Sequence, residues 1–314
     1  MYLSYKNRIV YLGLTFTDSG KIKEDIRVNI TEKKSNITTK YINFCAKNYL
    51  APLKVKLTYL NACSLSSLCY GSETWGDNDS NELETVYRVG LKNALSVRQS
   101  TCNEIVYIET DMCPVKCLVK RRQLKFWLSL NENLVVTSNL YKLINEAKRI
   151  NIPYIKYYES LAATYNTPDN CERVLREENF QKMKTKILNE FDKDIDSKLG
   201  TYLQVNPNLD CPAYSDTIFE IERILITRYR TGSNNLRIET GRIKCPVLPR
   251  EQRLCLCEVS VQTLHHVLFE CEKVRNMENA NLFIDTFTTV EEFFRLPNVH
   301  EHILTISKTL KVEI

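Results

Sequence analysis

The chain has 314 residues, 43% of them hydrophobic, which is enough for two or three compact domains with real cores. Only 8 glycines and 9 prolines occur, so turn punctuation is poor, and this argues against a many-stranded β protein and for long helices joined by short loops. The formal net charge is +5 but unevenly spread: Met112 to Leu130 holds five basic and no acidic residues, and Ile226 to Arg253 holds seven basic and two acidic.

Positive charge gathered on patches suits an anionic partner, most often nucleic acid. For either patch alone, a solvated helix face explains the charge equally well. No run approaches the ~18 apolar residues of a membrane span. The opening "MYLSYKNRIVYLGL" has no apolar core long enough for a signal peptide. The expectation is an intracellular protein of the nucleus or cytoplasm, without membrane association. Its 12 cysteines are then mostly reduced thiols. Asn29, Asn36 and Asn78 each begin a glycosylation triplet, which carries no meaning without secretion.

In chain order, the β-branched and aromatic run Ile9 to Thr17 meets the turn signal Asp18-Ser19-Gly20 and reads as a hairpin. Ile26, Ile30, Ile37, Tyr41 and Phe44 then recur at helical spacings between Glu24 and Leu50. Pro52 marks a break or a first-turn proline. Leu53, Leu57, Leu60 and Leu68 carry a second helix toward "CYGSETWG". Asp77 to Asn81 reads as a loop capping a helix with Leu83, Val86, Tyr87, Leu91, Ala94 and Leu95 on one side. "MCPVKCLVKRRQLKFWLSL" starts at a proline and continues as a basic helix with Lys120, Arg121, Arg122 and Lys125 beside Phe126 and Trp127, the tryptophan being expected in the core. Residues 131–200 are charged and helical in tendency, interrupted at Pro153 and at "NTPDN". The stretch 202–216, with two prolines, is the best linker candidate. Ile218, Ile221, Leu225 and Ile226 make one more helix running into "TRYRTGSNNLRIETGR".

"CLCEVSVQTLHHVLFEC", residues 255–271, holds three cysteines and two of the four histidines. Zinc favours tetrahedral thiolate and imidazole sites whose ligands arrive in close pairs, because one tight turn aims two side chains at one ion. Cys255 and Cys257 form one pair, and His266 and Cys271 the other. On a regular α-helix His266 and Cys271 would stand about 140° apart. The last turn must therefore fray, or Cys271 must sit just past the helix end. His265 competes with His266 as ligand, with spacing favouring His266. The competing interpretation is a group of buried thiols with one core histidine. A site of four protein ligands would be structural, since no position remains for an activated water. No glutamate stands beside these ligands at the spacing of a zinc hydrolase.

Several stretches, taken together and in order, resemble the C-terminal half of the reverse transcriptases of non-LTR (LINE-type) retrotransposons. "YLGLTFTDSGKI" is similar to the hairpin where the polymerase palm passes into the thumb. "LKVKLTYLNACSLSSLCYGSETW" resembles the end of the thumb, and "LKNALSVRQSTCNEIVYIETDMCPVKCLVKRRQLKFW" the helical region after it. "TRYRTGSNNLRIETGR" and "REQRLCLC…HHVLFEC" resemble the arginine-rich lead-in and the terminal Cys-Cys-His-Cys motif. The resemblance covers most of the chain, weakly from about 131 to 215.

The resemblance implies a mainly α fold: the end of a palm and a thumb-like region over 1–76, a helical connector over 77–215, and a basic lead-in, zinc knuckle and C-terminal tail over 216–314. It implies structural zinc at Cys255, Cys257, His266 and Cys271, and an RNA or DNA partner. Lys33, Lys34, Lys47, Lys54 and Lys56 are candidates for a thumb face. Arg228, Arg230, Arg237 and Arg242, with Tyr229 able to stack on a base or pack inward, are candidate nucleic-acid contacts beside the knuckle, and Lys120, Arg121, Arg122 and Lys125 are candidates on the connector helix. The polymerases of this family hold two metal ions on palm aspartates. This chain contains no Asp-Asp pair, so it is expected to be a C-terminal fragment that binds nucleic acid without polymerising. The alternative is a zinc-stabilised helical scaffold for protein partners.

Overall fold

A computed structural model describes residues 7–312 except 12, 20, 78–80, 134, 136–137, 195–196, 213–217 and 278–285. The described residues are mainly helical, with one two-stranded antiparallel sheet near the N-terminus and a Cys/His cluster toward the C-terminus. None of the helices is long and apolar enough to cross a membrane. Gly20, residues 78–80 of the expected capping loop and residues 213–216 of the linker candidate lie outside the described residues.

The hairpin pairs Arg8–Tyr11 with Leu14–Thr17, Arg8 opposite Thr17 and Tyr11 opposite Leu14. Its reversal falls inside the apolar run, where Gly13 takes φ +79°, and not at Asp18-Ser19, which instead follows the second strand. A two-residue connection of this kind needs positive φ, which glycine supplies without steric cost. The strand is then tied to the helix Ile22–Lys47 by side chains: Asn29 accepts from the Thr15 N–H at 2.9 Å and donates to the Thr15 carbonyl at 2.8 Å. Asn29 thus completes a strand-like pair from a helix, and its glycosylation triplet is a packing feature.

By contact, the chain divides into two units, each discontinuous in sequence, whereas the three-part division drawn from the sequence follows chain order. One comprises Met1–Lys47, Thr58–Gly90 and Met112–Gln181; the other Asn48–Leu57, Leu91–Asp111 and Lys182–Ile314.

The first unit is organised by the helix Val115–Glu132, which begins directly after Pro114. Leu124 packs with Leu161, Leu175 and the thiols of Cys113, Cys117 and Cys171. Trp127 lies in the core with Ile155 and Tyr158, its ring 5.5 Å from that of Tyr158. The buried Gln123 donates to the carbonyls of Ser72 at 3.2 Å and Gly76 at 2.9 Å, and accepts from the Tyr157 hydroxyl at 2.7 Å. One amide thereby holds the "YGSETWG" turn in place. The charged stretch after it forms the helices Asn139–Arg149, Pro153–Tyr165 and Pro168–Lys193, with prolines opening the last two as their fixed φ favours.

In the second unit the helix Glu220–Arg230 packs on Val299–Thr309. Leu225, Ile226 and Tyr229 join Phe293, Ile303, Ile306 and Leu310 in one cluster. The Tyr229 ring packs inward, its hydroxyl 2.6 Å from Ser307 Oγ. The segment expected to be a tail is therefore core. It carries a sequence signal for this: Thr289 and Glu292 form a reciprocal capping box at the start of Val290–Arg295. A buried triad sits nearby, with Glu220 receiving Lys56 at 2.6 Å and Arg223 at 2.8 Å. Lys56 is fully buried and so leaves the surface lysines of the expected thumb face.

Ile303 is completely buried. Replacing it by alanine is expected to lower unfolding free energy by about 2–5 kcal/mol in chemical denaturation. A change below about 0.5 kcal/mol, the range of ordinary surface substitutions, would place this helix outside the core.

Candidate metal centre and the basic residues

The knuckle starts as a tight reversal. Leu254 and Val261 form an antiparallel bridge, and the Gln262 N–H donates to the Arg253 carbonyl at 2.9 Å. Inside it, the Cys255 N–H donates to the Ser260 carbonyl at 2.8 Å and the Glu258 N–H to the Cys255 carbonyl at 3.0 Å, with Glu258 at φ +65°. This turn aims Cys255 and Cys257 to one side despite their C-x-C spacing.

The second pair solves the angular problem by widening the helix. His266–Glu270 is a π-helical turn, and the Cys271 N–H donates back five residues to the His266 carbonyl at 2.8 Å. One extra residue per turn brings position i+5 back under position i. Cys271 then leaves the helix with φ −71° and ψ 110°. Of the two routes anticipated from the sequence, the last turn does not fray but widens, and Cys271 sits just past the helix end.

The result is a convergent group. Cys255 Sγ and Cys271 Sγ are 3.6 Å apart, Cys257 Sγ and His266 Nε2 are 3.2 Å apart, and all four donor atoms lie within 4.8 Å of one another. Metal–sulfur bonds of ~2.3 Å in a tetrahedron set sulfur–sulfur edges of about 3.8 Å, so the group is of the right size to hold one metal ion. Cys255 and Cys271 are fully buried and His266 is 3% exposed. His265 is outside the group: its side chain is exposed, its Nδ1 is 3.3 Å from Glu270 Oε1, and its ring rests on Phe269.

The electrostatics follow from crowding. Burial, reinforced by the neighbouring Cys255, pushes the Cys271 thiol up to about 12. Burial also acts to raise Cys257, but the Val259 N–H and the side chains of His266, Cys255 and Cys271 outweigh it and bring that thiol down to about 7. Outer contacts fix the donors. His266 Nδ1 lies 3.1 Å from Glu270 Oε2, so the far ring nitrogen faces the sulfurs. Gln262 Nε2 lies 3.8 Å from Cys255 Sγ, while its Oε1 accepts from the Arg237 N–H at 2.7 Å. Arg253 braces the base of the turn, donating to the carbonyls of Ile238 at 3.1 Å and Leu248 at 2.6 Å. A Cβ on Gly241 would meet Arg253 Cδ at 2.6 Å, so the pinned arginine requires glycine there.

The candidate nucleic-acid residues separate into inward and outward groups. Arg230 is buried, its Nη2 3.0 Å from Glu109, which also accepts from the Tyr202 hydroxyl at 2.8 Å. Arg242 pairs with the buried Glu239 at 2.7 Å. Arg237 is exposed and donates to the Leu254 carbonyl at 3.0 Å, clasping the knuckle. Arg228 is half-buried, with its Nε on the Ser96 carbonyl at 3.0 Å. On the helix Val115–Glu132, Arg121 is held by Asp169 at 2.9 Å and Glu172 at 3.0 Å, and Arg122 donates to the Cys69 carbonyl at 3.3 Å. Lys120 is half-buried and Lys125 exposed. Glu109 and Asp169 lie 121 and 48 positions from the arginines they hold and were not visible as partners from spacing, whereas Glu239 stands one helical turn before Arg242.

No family model, curated protein or solved structure matches this chain.

Because Glu270 orients the imidazole, Glu270→Gln is expected to weaken metal binding about tenfold, read by competition with a chromophoric chelator. Unchanged affinity would show that the carboxylate plays no part in the centre.

Proposed function

We propose that this chain is a nucleic-acid-binding protein in which structural zinc folds a knuckle and presents neighbouring cations to RNA or DNA, in the manner of the C-terminal region of non-LTR reverse transcriptases. The observation that carries the reading is the convergence of Cys255, Cys257, His266 and Cys271 at metal-ligand distances. Three thiolates and one imidazole select zinc over hard cations, which prefer oxygen. Four protein donors fill the coordination sphere, so the ion supplies folding energy, and no hydrolytic or polymerase step belongs to this reading.

Cations open to phosphates include Arg237 and Lys244, exposed beside the knuckle, and the half-buried Arg228; Lys125 is exposed on the other unit. Arg230 and Lys56 act inside the protein and are not part of this surface. Arginine favours bidentate phosphate contact, and such contacts position a strand without reading its sequence.

A protein-scaffold role is the competing reading, favoured by Ile243, Val247 and Val259, which are 51%, 61% and 75% exposed near the knuckle. Salt separates the two. Fluorescence anisotropy with a single-stranded RNA and its DNA counterpart is expected to show affinity falling log-linearly with salt, with a slope of about −0.7 per phosphate contacted. Binding is further expected to weaken after metal removal. Absence of binding at low salt, or binding indifferent to salt, would contradict the proposal.

A further inference from the structure

One cavity in the second unit stands apart from the metal centre. Its volume is about 290 Å³, and its wall includes Ser96, Arg98, Arg228, Ser233, Asn234 and Asn235. No carboxylate is among the residues that line it. Arg121, Arg223, Arg230 and Arg242, by contrast, are each held by a glutamate or aspartate.

The two arginines are fixed by neutral partners. Arg228 Nε donates to the Ser96 carbonyl at 3.0 Å, leaving its two Nη groups without a partner among the described residues. Arg98 donates through Nη2 to Asn235 Oδ1, and its backbone N–H donates to Ser233 Oγ at 2.7 Å. Glu239 attracts Arg98, but that carboxylate already receives Arg242 at 2.7 Å and Lys198 at 3.6 Å. Burial lowers the Arg98 guanidinium from its ordinary value, Glu239 opposes this, and the nearby Arg228 charge adds to it. The pair therefore carries mutual repulsion that an anion between them would relieve.

We infer that this cavity is a phosphate-binding site, with Arg98 and Arg228 as a two-guanidinium clamp and the hydroxyl and amide groups of Ser233 and Asn234 beside it. Guanidinium forks match the tetrahedral oxygens of phosphate and hold them bidentately. The volume lies at the lower limit of small-molecule pockets, which suits a phosphate with part of its sugar and excludes a large cofactor. Resting on the nucleic-acid reading above, the phosphate is assigned to a nucleic-acid strand, and the cavity becomes the point where the backbone is gripped.

The test uses the full chain in its metal-loaded form and two probes. Calorimetric titration with inorganic phosphate is expected to show saturable binding, weakened about tenfold or more by Arg98→Gln and by Arg228→Gln. Lys40→Gln, at an exposed position of the helix Ile22–Lys47, should leave it unchanged. Circular dichroism and metal content verify that the variants fold, with Arg98→Lys and Arg228→Lys as milder replacements if they do not. In the second arm, Arg228→Gln should reduce the salt slope for a single-stranded oligonucleotide by about 0.7. Phosphate binding that is absent, or unaffected in folded variants, overturns the site. Arginine-dependent phosphate binding with an unaltered strand slope overturns the assignment to nucleic acid. A chain that binds no strand yet binds phosphate through these arginines refutes the nucleic-acid reading and upholds the site.

Discussion

Three sulfurs and one imidazole nitrogen crowded within 4.8 Å are the constraint around which the C-terminal part of this molecule is arranged. Such a group is poorly stable as thiolates alone, because each buried negative charge opposes the next. The opposite displacements of Cys257 and Cys271, one thiol eased toward ionisation and the other pushed away from it, express that conflict. A divalent cation held by the group would resolve it by making every sulfur anionic at once, and its binding energy would then be folding energy for the segment that carries the ligands. That segment also contributes Leu264, Val267 and Leu268 to the same core as the helices Glu220–Arg230 and Val299–Thr309.

The arginines show how a sequence-level charge patch divides in three dimensions. Glu109 takes Arg230, Glu239 takes Arg242, and Glu220 takes Lys56 and Arg223. Removing one partner from pairs buried this deeply leaves an uncompensated charge and is strongly destabilising. These cations are structural. What remains for an anionic ligand is smaller than the local surplus of charge suggests; Arg98 and Arg228 differ from the buried cations in that their hydrogen-bond partners are neutral.

Much of the fold was legible in the residues. Helical spacing placed Ile26, Ile30 and Tyr41 on the buried side of Ile22–Lys47, and prolines marked the starts of the helices at 153 and 168. The four residues that cluster, with His266 and not His265 among them, followed from ligand type and spacing. The hairpin turn was misplaced because Asp18-Ser19-Gly20 is the stronger turn signal by composition, whereas the pairing of Arg8 with Thr17 sets the reversal at Gly13. The C-terminal helices were passed over although Ile303, Ile306 and Leu310 have helical spacing and a capping box lies upstream at Thr289. Two of the buried ion pairs were out of reach for a different reason. Glu109 and Arg230 are separated by 121 positions, and Lys56 and Glu220 by 164, and no local pattern encodes which distant charge will meet which.

The most direct test of the metal centre is X-ray absorption spectroscopy at the zinc edge on protein purified without affinity to a metal resin. The account predicts one zinc per chain with a first shell of three sulfurs at about 2.3 Å and one nitrogen at about 2.0 Å, the sulfur count falling to two in Cys271→Ser. A shell dominated by oxygen, or protein that folds fully with no metal bound, would contradict it.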